Sequence, residues 1–259
     1  MAKLIALLVG GLLLATTVEG QTLSNRFSFD EFLLVPVRVH LLSAKDSPAI
    51  QTTLTEKDIS RIWKKVNGVW SQAGLHFYLE SLVREEATHP ETHPQPEDQA
   101  DGKTLLGLRP VASRATNMFH VYYLKDMGVN GIYFLQAIFV KDTASLRRVE
   151  GGIDEPLPRV TSHELGHAFT LPHRQNNTNL MASGTTGTWL NEEEIDQARK
   201  AARSLSWIVV APDMMKQAEA LFRANKLKEA TTWYSRLATI PLKAEQTELA
   251  KKRVENFSQ

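Results

Sequence analysis

The amino-acid sequence predicts an α/β (α+β) fold that is followed by a helical segment at the C-terminal end. An apolar, β-branched stretch at residues 32–42 is typical of a strand, and apolar residues then recur at helical spacing up to Gly74. Further strand patterns lie at residues 76–83, 118–124 and 131–140. Because a strand, a helix and a second strand in succession suit a right-handed crossover, we expect these strands to share one sheet.

The elements of the first half of the chain each carry a local signal. Pro36 has no backbone N–H, so the first strand is expected at a sheet edge or at a bulge. Thr55 is the expected N-cap of a long amphipathic helix. The apolar face of this helix comprises Ile59, Ile62, Trp63, Val66, Val69 and Trp70. Residues 84–103 are polar and contain three prolines, which predicts a long surface loop, and a short helix is expected at residues 105–115.

The end of the chain is predicted to be helical. Asn191 and the acidic residues after it predict a capped helix that ends near Ser206. Helical patterns then continue, with breaks at Asn225 and near Pro241. Five of the residues in this part resemble a single tetratricopeptide-type helical pair: Ala218, Leu221, Ala230, Tyr234 and Leu237. We expect these helices to pack on the main domain, and protein docking through them is the lesser alternative.

The N-terminal residues have the layout of a signal peptide. Lys3 precedes an apolar run of 12 residues, 4–15, and small or polar residues follow up to Gly20. The run is shorter than the roughly 20 residues that a membrane-spanning helix needs, so stable membrane insertion is not expected. We therefore expect a secreted protein, extracellular or periplasmic. The expected division is a signal peptide at 1–20, a main domain at 21–206 and a helical extension at 207–259.

The composition narrows the classes of function. The 30 Lys and Arg residues balance 29 Asp and Glu residues, which gives a formal net charge of +1. The basic residues form no cluster in the sequence, so a nucleic-acid partner is not expected. The absence of cysteine excludes disulfides, thiolate metal sites and a cysteine nucleophile.

Residues 163–173, HELGHAFTLPH, carry the chemistry. His163 and His167 are four residues apart, so on a helix both imidazoles lie on one face and can bind one metal ion. Pro172 prevents the helix from continuing, and the chain must turn for His173 to reach the same ion. Three imidazoles leave a tetrahedral zinc one open position, so we expect one catalytic Zn²⁺ per chain. Glu164 is the expected general base, which takes a proton from the zinc-activated water.

Together with Met181 in the sequence NLM, these residues resemble the metzincin clan of zinc peptidases, whose pattern is HExxHxxGxxH followed by a methionine turn. The sequence motifs HELGH, LPH and NLM are most similar to those of pappalysin-type and related bacterial secreted members. The resemblance implies a twisted mixed sheet with a long backing helix, an active-site helix and Met181 supporting the metal site. It further implies a hydrolase that cleaves peptide or protein substrates, held as an added strand at an edge strand formed by residues 131–140.

The sequence departs from the clan pattern in two places. Thr170 stands where the clan has glycine, and a β-branched residue tolerates a left-handed backbone poorly. No tyrosine follows soon after Met181, and Trp189 stands in that neighbourhood instead. We interpret Trp189 as a hydrophobic anchor for residues 182–190, which are the candidate wall of the substrate pocket. These departures motivate an alternative function, namely a weakly active or inactive zinc-binding module that recognises peptides or proteins.

Two further interpretations concern other possible metal ligands. The glutamates at residues 192–194 offer an alternative third ligand, but they are better explained as the acidic first turn of a helix. The remaining histidines are interpreted as structural or solvated and not as ligands: His40, His76 and His120 lie in or beside strands, and His89 and His93 lie in the proline-rich loop.

Overall fold

A mixed sheet of six strands forms the centre of the protein, of which the computed structural model describes residues 26–93 and 101–257. The strands are β1 (Leu33–Ser43), β2 (Leu75–Glu86), β3 (Phe119–Leu124), β4 (Gly131–Phe134), β5 (Ala137–Lys141) and β6 (Val209–Val210). Their order is β2-β1-β3-β5-β4, and β6 pairs with the start of β1. The pairs among β2, β1, β3 and β5 are parallel, whereas β4 and β6 are antiparallel to their partners. The predicted α/β class is confirmed, and the predicted signal peptide lies outside the described residues.

Seven helices accompany the sheet in the described part of the chain. They are α1 (Glu56–Trp70), α2 (Gly102–Leu105), α3 (Pro156–Ala168), α4 (Glu192–Arg203), α5 (Ala211–Arg223), α6 (Leu227–Ala238) and α7 (Glu245–Phe257). Helix α1 connects the parallel strands β1 and β2, as the sequence pattern predicts. Within the described ranges, no helix has the length and apolar character that crossing a bilayer requires.

The first strand, β1, lies inside the sheet and not at an edge, so one expectation for Pro36 is wrong. The alternative, a bulge, is present, because the pairing of β1 with β2 shifts by one residue between Val37 and Arg38. Strand β6 pairs with Leu33 and Leu34, and β3 begins to pair at Val37. Pro36 falls between these two partners, where a missing N–H does not interrupt either ladder.

Helix α1 is capped and buried as predicted. The Thr55 hydroxyl accepts a hydrogen bond from the Asp58 N–H at 3.2 Å, and the Asp58 carboxylate accepts one from the Thr55 N–H at 2.9 Å. All six residues of the predicted apolar face are buried. Trp70 at the end of this helix packs edge-on against Phe169, which directly follows α3, with ring centroids 5.6 Å apart. This contact ties the end of α3 to the core.

The single strand predicted at residues 131–140 is wrong, because this segment forms the antiparallel hairpin of β4 and β5. Its two turn residues, Leu135 and Gln136, have φ angles of +46° and +64°. A two-residue turn with both φ angles positive matches the right-handed twist of the flanking strands, but it normally carries Asn-Gly or Asp-Gly. Leu-Gln has no such signal. The hairpin makes β4 the edge strand of the sheet.

The segment that joins β2 to β3 also differs from the prediction. Helix α2 begins at Gly102, capped by the Asp101 carboxylate, and a 3-10 turn at Leu106–Leu108 replaces the rest of the helix predicted at residues 105–115. In the polar loop, His93 is buried and its Nε2 donates to the backbone oxygen of Asp126 at 2.8 Å. The interpretation of His93 as a solvated residue is therefore wrong.

The histidines of the sheet are structural, as predicted. His40 and His120 are buried and share a hydrogen bond of 2.8 Å, and the other ring nitrogen of His40 contacts the Glu85 carboxylate. Burial and, to a smaller extent, the neighbouring His120 lower the pKa of His40 to about 2. His76 is enclosed as well, and its Nε2 lies 3.0 Å from the Thr239 hydroxyl. Burial lowers the pKa of His76 to about 3, so both His40 and His76 are neutral at pH 7.

The C-terminal helices pack on the sheet domain, which confirms the simpler prediction for this segment. Helix α6 contacts both α5 and α7, and their buried residues belong to the same core cluster as those of the sheet. Backbone pairing adds to this, since the Ala211 N–H donates to the Phe32 carbonyl at 2.9 Å. Asn225, with φ of +57°, separates α5 from α6 as expected.

Candidate metal centre

Helix α3 presents the first two histidines of the motif on one face. It begins at Pro156, slightly before the predicted start near Pro158, and proline suits a first turn because its N–H would have no helical partner. His163 and His167 lie one turn apart, and their Nε2 atoms are 3.2 Å from each other. The i, i+4 spacing in the sequence thus produces the predicted proximity.

The turn after α3 brings the third histidine back to the other two. The Thr170 N–H donates to the His167 carbonyl and the Leu171 N–H to the Gly166 carbonyl, both at 2.9 Å. The His173 Nε2 then lies 3.1 Å from the His167 Nε2. Among the described residues, this is the only group of three or more metal-ligating side chains whose ligand atoms all lie within 4.8 Å of one another.

The hydrogen bonds of the other ring nitrogens of His163 and His167 show that their converging Nε2 atoms present lone pairs. The Nδ1 atoms of His163 and His167 lie 2.8 and 2.9 Å from the backbone oxygens of Leu180 and Leu171. A carbonyl oxygen can only accept, so each Nδ1 carries the proton and each Nε2 of these neutral rings presents a lone pair. Two lone pairs at 3.2 Å repel each other unless a cation lies between them. The three histidines are therefore suited to bind a metal ion.

Burial keeps His163 and His167 neutral. Desolvation and, to a smaller extent, the nearby Arg159 guanidinium lower the pKa of His163 to about 3. Desolvation also lowers the pKa of His167. Because metals bind the neutral imidazole, these two side chains need lose no proton before binding at pH 7.

Met181 packs directly beneath α3. Gly166 faces its side chain so closely that a Cβ atom at this position would overlap the Met181 sulfur. The Met181 N–H donates to the Asn179 side-chain oxygen at 2.6 Å, and the preceding residue, Leu180, supplies the carbonyl that orients His163. Met181 thus packs against the helix that carries two of the histidines.

Glu194 holds the methionine turn and is not a metal ligand. Its carboxylate is fully buried and accepts hydrogen bonds from Asn179 at 2.7 Å and from Arg174 at 2.6 Å. It also closes the capping box with Asn191. The alternative hypothesis, in which a glutamate at residues 192–194 is the third metal ligand, is therefore wrong for Glu194. Its role in joining the segments on either side of the turn could not be read from the sequence.

Glu164 lies between α3 and the edge strand β4. It is 5% exposed, and burial raises the pKa of its carboxyl group to about 8, opposed by the positive charge of Arg159 and by the backbone of Tyr133. Gly131 allows the close approach of β4, because a Cβ atom at this position would lie 2.5 Å from a methyl carbon of Val160 and 2.8 Å from a Glu164 oxygen. The edge of the sheet thus borders the candidate general base.

A cleft of about 600 Å³ contains the three histidines and Glu164. Strand β4, helix α3 and the loop at residues 182–190 line it, and this loop contributes Ser183 and Gly184, which agrees with its predicted position as a pocket wall. The interpretation of Trp189 as a hydrophobic anchor is wrong, because its side chain is 51% exposed. Its backbone anchors the loop instead, through hydrogen bonds to Thr178 and Leu180.

Arg159 and Tyr133 line the cleft, and neither was named as a site residue from the sequence, although Tyr133 lies in the segment predicted as the edge strand. Arg159 lies one helical turn before His163, so its spacing to the motif was the available signal. Tyr133 reaches the cleft from β4, and no local pattern relates it to residues 163–173.

Thr170 adopts the left-handed backbone that the clan glycine would favour, with φ of +68°. Its backbone oxygen and hydroxyl both accept hydrogen bonds from the Gln197 amide, at 2.7 and 3.2 Å. A β-branched residue in this conformation costs about 1–3 kcal/mol, so the turn keeps its shape at the expense of strain. The departure from the pattern therefore does not prevent His173 from reaching the other histidines.

Thr170→Gly should stabilise the metal-free protein. The strain energy that the substitution removes is larger than the free-energy cost of the extra chain entropy of glycine in the unfolded state. We therefore expect the free energy of unfolding to rise by about 1 kcal/mol in urea denaturation with a chelator present. Thr188→Gly is the matched control. Thr188 does not have a positive φ, so the same change there should lower stability by about 0.5–1 kcal/mol. Equal losses at both positions would show that Thr170 is not strained.

Comparison with known proteins gave no match to a protein-family model or to a curated protein. The geometry of the three histidines and of the cleft around them is therefore the basis for a functional inference.

Proposed function

We propose that this protein is a secreted, zinc-dependent endopeptidase of the metzincin type, with one zinc ion per chain. The observation that supports the proposal most strongly is the convergence of three imidazole Nε2 atoms beside a buried carboxylate in an open cleft. The clan resemblance of residues 163–173 and Met181 agrees with this geometry, and the signal-peptide pattern at residues 1–20 supports export.

The donor set fits zinc. His163, His167 and His173 would hold the ion, and a tetrahedral zinc with bonds of about 2.0–2.1 Å to nitrogen places its ligand atoms about 3.3 Å apart. The observed separations of 3.2 and 3.1 Å are close to this value. When bound, zinc lowers the pKa of a water molecule to about 7 and polarises the substrate carbonyl group.

Glu164 would move the proton. It directly follows His163 on α3, so its carboxylate borders the same part of the cleft as the histidines. In the proposed reaction the carboxylate accepts the proton of the attacking water and passes it to the leaving amine. Burial raises the pKa of Glu164 to about 8 in the metal-free protein, and the positive charge of an ion bound beside it would lower this pKa, so that the group acts as a carboxylate at neutral pH.

The edge strand β4 would bind the substrate. Its partner in the sheet is β5, and on its other side it lines the cleft with Gly131, Ile132 and Tyr133. An extended peptide can add to such an edge through backbone hydrogen bonds, which places a peptide bond beside Glu164. This arrangement favours unfolded or flexible peptide segments as substrates.

The alternative is a zinc-binding module that recognises peptides without cleaving them. It is motivated by the strained Thr170 and by the absence of a tyrosine soon after Met181. The cleft and the edge strand would serve recognition equally well, so the two functions differ in turnover and not in metal content. Docking through the C-terminal helices is compatible with both.

A peptide-library digest with and without a chelator tests the proposed function. We expect one zinc per chain by elemental analysis, cleavage of unstructured peptides, loss of cleavage with the chelator and recovery when zinc is added back. Cleavage that persists in the chelator would contradict a metal-dependent mechanism. Bound zinc without cleavage of any library member would favour the recognition module instead.

A further inference from the structure

A buried guanidinium group lies in the wall of the candidate catalytic cleft. Arg159 is 1% exposed, although it is among the residues that line the cleft together with His163 and Glu164. It lies on α3 one turn before His163, on the same side of the helix. Burial lowers the pKa of Arg159 to about 10, so the side chain remains positively charged at neutral pH.

The hydrogen bonds of Arg159 leave part of its guanidinium unused. Nε donates to the Gly187 carbonyl at 3.0 Å and Nη2 donates to the Ala182 carbonyl, so both hold the loop that forms the pocket wall. Nη1 has no acceptor among the described residues, yet it is not one of their fully enclosed unpartnered atoms. This nitrogen therefore retains contact with the cleft.

Arg159 has no ion pair within the described ranges, since no carboxylate oxygen there lies within 4.0 Å of its nitrogens. A buried cation without an ion-pair partner is unfavourable, and a partner that supplies a carboxylate would relieve this cost. Glu164 is the acidic group whose charge acts on Arg159, but the proposed reaction requires Glu164 to take up a proton. A second carboxylate is therefore the complementary group.

No other side chain in the described cleft wall competes with Arg159 as a permanently charged binding group for a carboxylate. Among the described lining residues it is the one with a permanent positive charge, and its neighbours include the apolar Leu146, Ile132 and Val160. In such surroundings a guanidinium interacts more strongly with a carboxylate than it would in water, and its Nη1 is free to donate to a carboxylate oxygen.

We propose that Arg159 is a specificity-determining residue that selects substrates with a carboxylate beside the scissile bond. The carboxylate comes from an Asp or Glu side chain or from the C-terminus of a short peptide. This inference rests on the proposed peptidase function and adds its substrate class. The carbonyl bonds of Nε and Nη2 hold the guanidinium in place, so the carboxylate meets a preorganised donor.

Matched peptide pairs test the inference in the unaltered protein. The two peptides of a pair differ at one position, on one or the other side of the cleaved bond. One peptide has Glu where the other has Gln, or Asp where the other has Asn. Each peptide is made with a free and with an amidated C-terminus. We expect kcat/KM to be about tenfold to hundredfold higher for the peptide that carries the carboxylate. A preference that persists in amidated peptides assigns the side chain as its source, and one that requires a free C-terminus assigns the terminal carboxylate. Equal kcat/KM values within every pair would overturn the inference.

Substitutions at Arg159 then separate selection from support of the loop. Arg159→Met should bring the Glu-to-Gln ratio of kcat/KM close to one, whereas Arg159→Lys should retain part of it because the charge remains. If Arg159→Met lowers kcat/KM equally for both members of a pair, Arg159 supports the loop and does not select the substrate. Should this variant fail to fold, the peptide pairs with the unaltered protein still decide.

Binding provides a readout that does not depend on turnover. Titration calorimetry of the Glu164→Gln protein with the same peptides should show about tenfold tighter binding of the member with the carboxylate. Cleavage without any preference for a carboxylate would refute the inference and leave the proposed function intact. Bound zinc without cleavage would refute the peptidase, while a binding preference in calorimetry would still support the role of Arg159 in peptide selection.

Discussion

Glu164→Gln should lower kcat for peptide hydrolysis by about 10²–10⁴-fold while the protein keeps its zinc. Glutamine has nearly the same shape as glutamate but cannot accept a proton from water, so the general base is lost and the packing against Gly131 is preserved. The three histidines are unchanged, and the Nδ1 bonds of His163 and His167 to backbone oxygens do not involve Glu164. Steady-state kinetics on a peptide from the library digest would measure kcat, and zinc analysis of the variant would measure its metal content.

Glu193→Gln is the matched control for this experiment. Glu193 is exposed in the first turn of α4 and does not line the cleft, so its replacement should leave kcat within a factor of about two. Turnover by Glu164→Gln at the level of this control would refute the assignment of Glu164 as the base. Loss of zinc from Glu164→Gln would show instead that the carboxylate helps to hold the metal.

His167→Ala should weaken zinc binding by more than about 100-fold and abolish hydrolysis with it. Loss of a partner outside the ligand shell already costs about 10–100-fold in affinity, so loss of a ligand should cost more. His167 is the best position for this test because its Nε2 lies closest to both other imidazoles, at 3.2 Å from His163 and 3.1 Å from His173. Competition with a chromophoric chelator would measure the affinity.

His89→Ala is the control for the loss of a histidine. His89 is exposed in the polar loop and does not line the cleft, so zinc affinity and hydrolysis should not change. If His167→Ala binds zinc as tightly as His89→Ala does, the three histidines are not the metal site. Hydrolysis that survives in His167→Ala without zinc would rule out the proposed mechanism altogether.

The candidate site could be predicted from the sequence where its signal is local. His163 and His167 are one turn apart in any helix, and Pro172 prevents a helix from continuing to His173 in any fold. The cap at Thr55 and the apolar face of α1 were predictable for the same reason, since a 3.6-residue period relates residues close in the chain.

Predictions failed where distant segments decide the structure. Pro36 suggested an edge strand, but β1 is central because β6, from residues 209–210, and β3 cover different parts of one side. The hairpin of β4 and β5 turns at Leu135 and Gln136, which have no turn propensity of their own, so the pairing of β5 with β3 and of β4 with β5 must stabilise their positive φ angles.

The sequence by itself determined the residue types of the site, the helix that carries two of the histidines and the necessity of a turn before the third. The tertiary structure alone decided that Glu194 joins the methionine turn to the segment after His173, and that the edge strand approaches Glu164 at Gly131. It also placed the guanidinium of Arg159 in the cleft without an ion pair among the described residues. Local periodicity constrains neighbours within a few residues, whereas burial and charge complementarity depend on segments that meet only after the chain has folded.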